Sequence, residues 1–440
     1  RVGDTTTEIL SAEVAEELAA RFVGGLASRA IPPMSHLVFQ ASNSALLLSA
    51  IYGALRAGFA PVVISDKLTE RERAELIADV EPAGIFQSRD LPDLFDASPA
   101  QLDYRMHCRP MHFTSGTSGR PKGVWSGWLD AESAKSLVTE EWSAWGISST
   151  DRYLAVAPMS HSAPLRFPLM TLLAGGSVVI PRGFDPETIS ELIAGDEVNT
   201  AFLAPAHLQR LLENCPPKQS RMRLVAHAGS ACPEHVRSGS RELFGDDALR
   251  EFYGSTEGQF TICTPQEYDA HPGTVGVARP GRALRIGPDG RIWCRVPQYA
   301  RFEYWRDPTK TADTWDGDWF TVGDLGHLDD AGYLYLDGRR SDLIITGGVN
   351  VYPAEIERVV LDIPGVRQAS AFPMPDDHWG QRVCLVVVGD VDEETIASHC
   401  ETQLAPYKRP KSIYRALELP HTHSGKVDRL RIPQSLGLVR

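Results

Sequence analysis

Between residues 36 and 213 the sequence keeps switching between two periodicities, and this alternation constrains the fold more than any other feature. Short apolar runs at 36–40, 61–65, 83–87, 153–157, 177–180 and 200–204 read as strands. Segments 43–58, 68–80, 168–173, 186–194 and 206–213 carry helical spacing instead, with Thr69 placed as a cap and Glu72 in capping-box position. Helices inserted between successive strands predict an α/β fold, its sheets mostly parallel and flanked by helices. With 42% hydrophobic and 23% charged residues, a packed core is expected, and 440 residues imply two or three domains.

From about Gly273 the pattern changes. Residues 285–292 and 328–336 each read as a hairpin around a Gly-containing loop, which predicts an antiparallel subdomain. After Arg339 a strand at 343–345, a Gly-Gly turn, a helix at 353–362, strands near 369–373 and 383–388, and a helix at 393–404 describe a small α+β domain. The expected division is therefore 1–338 and 342–440, with a hinge near 339–342.

The formal charge of −13 argues against nucleic acid or an anionic membrane as a general partner. No apolar run approaches the roughly 18–20 residues of a membrane span, and none reads as a signal peptide. The seven cysteines are scattered without a CxxC pair, so the expectation is a cytoplasmic protein with neither a zinc site nor a disulfide framework.

Only eight of the 44 basic residues are lysines, which draws attention to one inside a glycine-rich run. Phe113-Thr114-Ser115-Gly116-Thr117-Ser118-Gly119-Arg120-Pro121-Lys122-Gly123 offers backbone amides, hydroxyls and one mobile cation, a combination suited to phosphate oxygens. It is not a P-loop, because Lys122 follows Pro121 rather than glycine. The stretch resembles the phosphate loop of the adenylate-forming superfamily, which comprises acyl-CoA synthetases, peptide-synthetase adenylation domains and luciferases. The resemblance gives Thr114, Ser115, Gly116, Thr117, Ser118, Gly119 and Lys122 to the β- and γ-phosphates of ATP.

Further motifs follow in that family's order. Tyr253-Gly254-Ser255-Thr256-Glu257 matches its aromatic-Gly-x-Thr-Glu segment. By resemblance Tyr253 packs on adenine, Gly254 belongs to the ATP/AMP-binding set, Thr256 contacts the α-phosphate, and Glu257 helps to hold Mg²⁺. Thr321-Val322-Gly323-Asp324 and Gly338-Arg339 resemble the segments whose aspartate and arginine reach the ribose. The hinge is usually Asp or Lys two residues after that arginine; here the position is Ser341. Near the end, Pro420 to Arg429 resembles the element that supplies the catalytic lysine, here Lys426, to the adenylation transition state. The C-terminal domain is then expected to be mobile.

The segment from Gly347 to Glu357 has the Gly-Gly-x-Asn-Val-x-Pro-x-Glu form of acyl-CoA synthetases, and by resemblance Gly347 and Gly348 line the pantetheine tunnel. The acyl pocket falls at His161, Ser162 and Leu165, with Gly229, Ser230 and Ala231 as a second wall bordering the nucleotide. Arg166 admits an acidic tail on the substrate, with a helix-surface salt bridge as the plainer reading. The resemblance implies an ATP- and Mg²⁺-dependent ligase that activates a fatty or aromatic acid and transfers it to CoA. The alternatives are an adenylation enzyme that loads an acyl carrier protein, and a nucleotide-binding relative without catalysis.

Overall fold

The computed structural model describes residues 7–439 except 67, 69, 115–121, 218, 340–341, 343, 347–348, 377–379, 405, 407 and 423–425. Two parallel sheets dominate the first 251 residues. One has the order Ala60–Ile64, His36–Gln40, Gly84–Gln87. The other has six strands: Thr7–Ser11, Ser177–Pro181, Arg152–Leu154, Thr200–Phe202, Leu224–His227 and Leu249–Glu251. All its neighbours are parallel except Thr7–Ser11, which pairs antiparallel with Ser177–Pro181 at the edge.

Helices Ala12–Ser28 and Ala45–Arg56 join these sheets through one continuous core that includes Leu10, Phe22, Phe39, Leu48, Phe167 and Phe202. Their starts follow from local chemistry. Ser11 and Ser44 accept from the amides of Val14 and Leu47, each satisfying a donor the first turn cannot pair. Asp130 does the same for helix Ala131–Trp145, and Asp185 with Pro186 for helix Pro186–Ala194. The strand at 7–11 and the helices at 12–28 and 131–145 add to the elements predicted from periodicity. The proposed cap Thr69 lies outside the described residues.

One helix departs from its expected start. It runs Ser162–Leu173 rather than from Pro168, which sits in its interior. The missing proline amide costs one ladder bond, a loss that burial of Pro164, Leu165, Phe167, Leu169 and Met170 outweighs. Proline marked a boundary in the sequence because its usual place is the first turn.

Between residues 261 and 339 the strands pair antiparallel. Ala283–Ile286, Ile292–Arg295, Trp319–Phe320 and Trp315–Asp316 form one. Glu303–Tyr304, Lys122–Trp125 and His112–Thr114 form a second, and Asp324–Leu328 pairs with Leu334–Arg339.

From Ile344 onward the chain builds a five-stranded sheet of its own, centred on Gly380–Gly389. That strand is buried on both faces. Val383, Leu385 and Val387 enter one core with helices Pro353–Leu361 and Glu393–Gln403, while Cys384, Val386 and Val388 enter another with Leu419 and Ile432. The two-residue period explains why its sequence is continuously apolar. Both cores draw only on residues after 343, and the other three clusters only on residues up to 334.

Candidate active site

The chain leaving the edge strand Leu249–Glu251 forms a tight turn. The Ser255 amide donates to the carbonyl of Gly258 at 2.8 Å, and Phe260 and Thr261 both donate to the carbonyl of Tyr253. Gly254 is required by contact rather than by backbone angle, since a Cβ there would lie 2.7 Å from the Gly258 oxygen and 2.9 Å from Gln259 Cα. The turn thereby holds Thr256 and Glu257 beside an aromatic wall, where the Tyr253 and Phe260 rings meet at 4.9 Å.

Tyr253 reaches a second motif. Its phenol donates to Asp324 Oδ2 at 2.5 Å, and Asp324 is 6% exposed. Asp324 opens strand Asp324–Leu328, where its register partner is Arg339. The two residues expected at the ribose are thus directly opposite one another on a two-stranded ladder.

Glu257 is nearly buried, and its Oε1 accepts a 2.7 Å hydrogen bond from the Tyr304 phenol. The Lys122 ammonium lies 5.6 Å from the centre of the Tyr304 ring. Lys122 in turn is the register partner of Thr114 across the base of the glycine-rich loop. Ser115, Gly116, Thr117, Ser118 and Gly119 lie outside the described residues. Tyr304 belongs to none of the motifs; its only signal was an aromatic pair, Tyr304-Trp305, in a region read for hairpins.

His161 is the N-cap of helix Ser162–Leu173 and is half-buried. Burial holds its pKa below the ordinary histidine value, and the positive charge of Lys426 lowers it further. Lys426 closes a hairpin in which the Thr422 amide donates to its carbonyl at 2.7 Å, with His421 bridged to Val427. Arg429 ties this hairpin to the rest of the C-terminal domain, with Nη1 2.5 Å from Asp342 Oδ2 and Nη2 2.7 Å from Oε2 of Glu357 on helix Pro353–Leu361. A lysine 265 positions away in the chain therefore acts electrostatically on His161.

Near His161, the buried His112 donates from Nδ1 to the Ser160 carbonyl at 3.1 Å, and burial drops its pKa to about 4. Gly229, Ser230 and Ala231 form an exposed turn after strand Leu224–His227, with Gly229 at φ +103°. Ser162 keeps accessible surface. Leu165 has none: it packs in the core, so it supports the helix and offers no wall to a pocket.

Arg166 also differs from its expected surface setting. Its Nε lies 3.5 Å from Glu141 Oε2 in the interior, where Arg279 contacts Glu141 Oε1 at 3.1 Å. Burial raises the Glu141 pKa, but these guanidinium groups bring it below the carboxylate norm. Gly347 and Gly348 lie outside the described residues, between the paired ends Thr346 and Val349, and so does Ser341. The Arg339 backbone is placed by its strand. Among the described residues no helix is long and apolar enough to cross a membrane, and no three His, Cys, Asp or Glu side chains cluster to hold a metal ion.

Comparison with known proteins matches residues 106–301 to the AMP-binding enzyme family and 355–426 to the AMP-binding enzyme C-terminal domain. The 2-succinylbenzoate–CoA ligase of Geobacillus sp. (strain WCH70) is 32% identical over 346 residues, covering 73% of this chain and 68% of that one. Its counterpart from Listeria monocytogenes serotype 4b is 28% identical over 96% of this chain and 93% of its own length. Among solved structures, ATP-bound MatB from Rhodopseudomonas palustris superposes with a TM-score of 0.84 at 27% identity, covering 97% of this chain and 93% of that one.

Proposed function

The chain belongs to the AMP-binding enzymes, as an AMP-forming acid–thiol ligase of the acyl-CoA synthetase branch, and on that premise we propose that it activates a fatty or aromatic carboxylic acid with ATP and Mg²⁺ and transfers the acyl group to CoA. The observation that carries this reading is the meeting of separate motif segments: Tyr253 donates to Asp324, Asp324 pairs with Arg339, and Glu257 accepts from Tyr304, whose ring centre lies 5.6 Å from the Lys122 ammonium. The lowering of the His161 pKa by the charge of Lys426 supports a place for that lysine near the acyl pocket, where charge builds during adenylation.

In the first step a carboxylate oxygen of the acid attacks the α-phosphorus of ATP, the bond to pyrophosphate breaks, and acyl-AMP remains. Tyr253 and Gly254 face the adenine, and Asp324 and Arg339 hold the ribose hydroxyls, a diol suited to an ionised acceptor. Thr256 contacts the α-phosphate. Thr114, the hydroxyls and glycines of 115–119, and Lys122 enclose the β- and γ-phosphates. Lys426 stabilises the oxygens on which negative charge accumulates. In the second step the CoA thiol attacks the acyl carbon, AMP leaves with the bonding pair, and the thiol proton passes to solvent.

The residues present suit a magnesium ion. Among the described residues Glu257 has Tyr304 as its only hydrogen-bond partner, which leaves Oε2 for a cation. A single protein carboxylate, with the remaining ligands from phosphates and water, is the usual arrangement for Mg²⁺. Bound there, the ion would neutralise phosphate charge.

His161, Ser162, Gly229, Ser230 and Ala231 border the acid, and Gly347 and Gly348 line the thiol path. The separate cores support a division into 1–338 and 342–440 that pivots near 339–342. CoA is favoured over a carrier protein because the relatives compared are named CoA ligases. Seven free cysteines support a reducing, cytoplasmic setting.

Pyrophosphate release, measured with ATP and Mg²⁺ against fatty, aryl, dicarboxylic and amino acids, with and without CoA, tests the reading. Release with a fatty or aryl acid that turns over only when CoA is present is the expected result. Release that stalls after one equivalent despite CoA would remove CoA as acceptor.

A further inference from the structure

Tyr304 stands where three parts of the site meet. Its strand, Glu303–Tyr304, pairs antiparallel with Lys122–Trp125, so Tyr304 lies opposite Val124, two residues beyond Lys122. The adjoining Trp305 amide donates to the Gly123 carbonyl at 2.8 Å, and the Tyr304 amide donates to Thr311 Oγ1 at 2.9 Å. The side chain is 5% exposed, with Phe302 edge-on at 5.6 Å and the ammonium groups of Lys122 and Lys310 within 6.0 Å of the ring centre.

A glutamate at the tip of a turn has three side-chain torsions to order before it can present an oxygen to a cation, and that ordering opposes binding. A donor that fixes one oxygen removes part of the cost in advance and aims the other oxygen. Groups in this relation to a metal carboxylate ordinarily carry much of the site's affinity. The Tyr304 phenol meets the requirement: it donates to Glu257 Oε1 at 2.7 Å, and its own position is fixed by the paired strands and by packing against Phe302.

We infer that Tyr304 is a positioning residue for the metal carboxylate: its phenol holds Glu257 Oε1, presents Oε2 to the divalent ion, and registers that carboxylate against Lys122 through the paired strands. The inference rests on the reading of Glu257 as the magnesium carboxylate.

The test is Mn²⁺ binding in the presence of a non-hydrolysable ATP analogue, followed by electron paramagnetic resonance of the free ion. The proteins compared are wild type, Tyr304→Phe, Glu257→Gln and the double variant. Phenylalanine keeps the ring, its packing and its face toward Lys122, and removes only the hydroxyl. Tyr304→Phe should weaken Mn²⁺ binding roughly tenfold, and the double variant should bind no worse than Glu257→Gln alone. Thr311→Val, which removes the strand's other anchor without touching Glu257, should lower the melting temperature and leave Mn²⁺ affinity unchanged.

Wild-type affinity in Tyr304→Phe, or additive losses in the double variant, would overturn the inference while leaving Glu257 in place. Wild-type affinity in Glu257→Gln would instead remove the reading of Glu257, and the inference with it.

Discussion

The phenol of Tyr253 and the carboxylate of Asp324, 71 residues apart in sequence, are joined by a 2.5 Å hydrogen bond at the edge of the candidate nucleotide site. A hydrogen bond to an ionised group contributes about 1.5–3 kcal/mol. Tyr253→Phe retains the aromatic face and loses this bond. The Michaelis constant for ATP should rise about tenfold with kcat changed less, as read from pyrophosphate release against ATP concentration. An unchanged constant would detach the pair from nucleotide binding.

Lys426→Ala should reduce acyl-AMP formation at least a hundredfold, roughly the loss seen when one transition-state donor is removed. Thiolation of supplied acyl-AMP should be largely spared, because the role proposed for the lysine belongs to the first step. Equal loss of both partial reactions would contradict that assignment. The same variant carries a second readout, since Lys426 lowers the His161 pKa. Without the ammonium, the His161 imidazole should titrate at higher pH by NMR.

His112 should make the fold acid-sensitive. Its pKa is about 4 in the folded protein because of burial, against 6.5 for an exposed histidine. Between those values the unfolded chain binds a proton that the folded chain refuses, so stability is complete above pH 6.5 and falls as pH drops toward 4. The loss from pH 7 to 5 is about 2 kcal/mol from this group. His112→Gln, which retains a donor for the Ser160 carbonyl, should flatten urea-unfolding stability over that interval. A variant curve parallel to wild type would exclude His112 as the source.

Gly254→Ala places a methyl group against the Gly258 carbonyl and Gln259 Cα. The turn must open, at a cost of about 1–3 kcal/mol, and Glu257 moves with it. A lower melting temperature together with a raised Mg²⁺ requirement for pyrophosphate release is expected. Loss of stability alone would separate the turn from the metal carboxylate.

The alternating strands and helices could be read directly because each had to bury an apolar face, and both the two-residue and the 3.6-residue periods leave that record. The strand Gly380–Gly389 was legible for the same reason, even with both faces covered. Helix Ser162–Leu173 was cut short in the reading because Pro168 obeys packing there rather than its local preference. The motifs singled out Tyr253, Glu257 and Asp324, but the bonds of Tyr253 to Asp324 and of Glu257 to Tyr304 leave no mark in the sequence. Tyr304 could not be found, since a tyrosine that acts by holding another side chain leaves no pattern of its own. Arg166 shows the complementary failure: a charged residue on a helix reads as surface, and only the third dimension reveals Glu141 and Arg279 around it.

The edge pairing of Thr7–Ser11 with Ser177–Pro181 has a consequence for synthesis. Residue 11 leaves the ribosome long before residue 177, and at ordinary elongation rates the interval is on the order of 10–30 s. Throughout it, the strand and the apolar face of helix Ala12–Ser28 wait without their final neighbours. Closing so distant a contact makes this sheet slow to complete. The nascent chain therefore presents an unpaired edge beside Phe22 and Leu26, and the yield of folded protein should depend on how fast the message is translated and on chaperones that shield such edges.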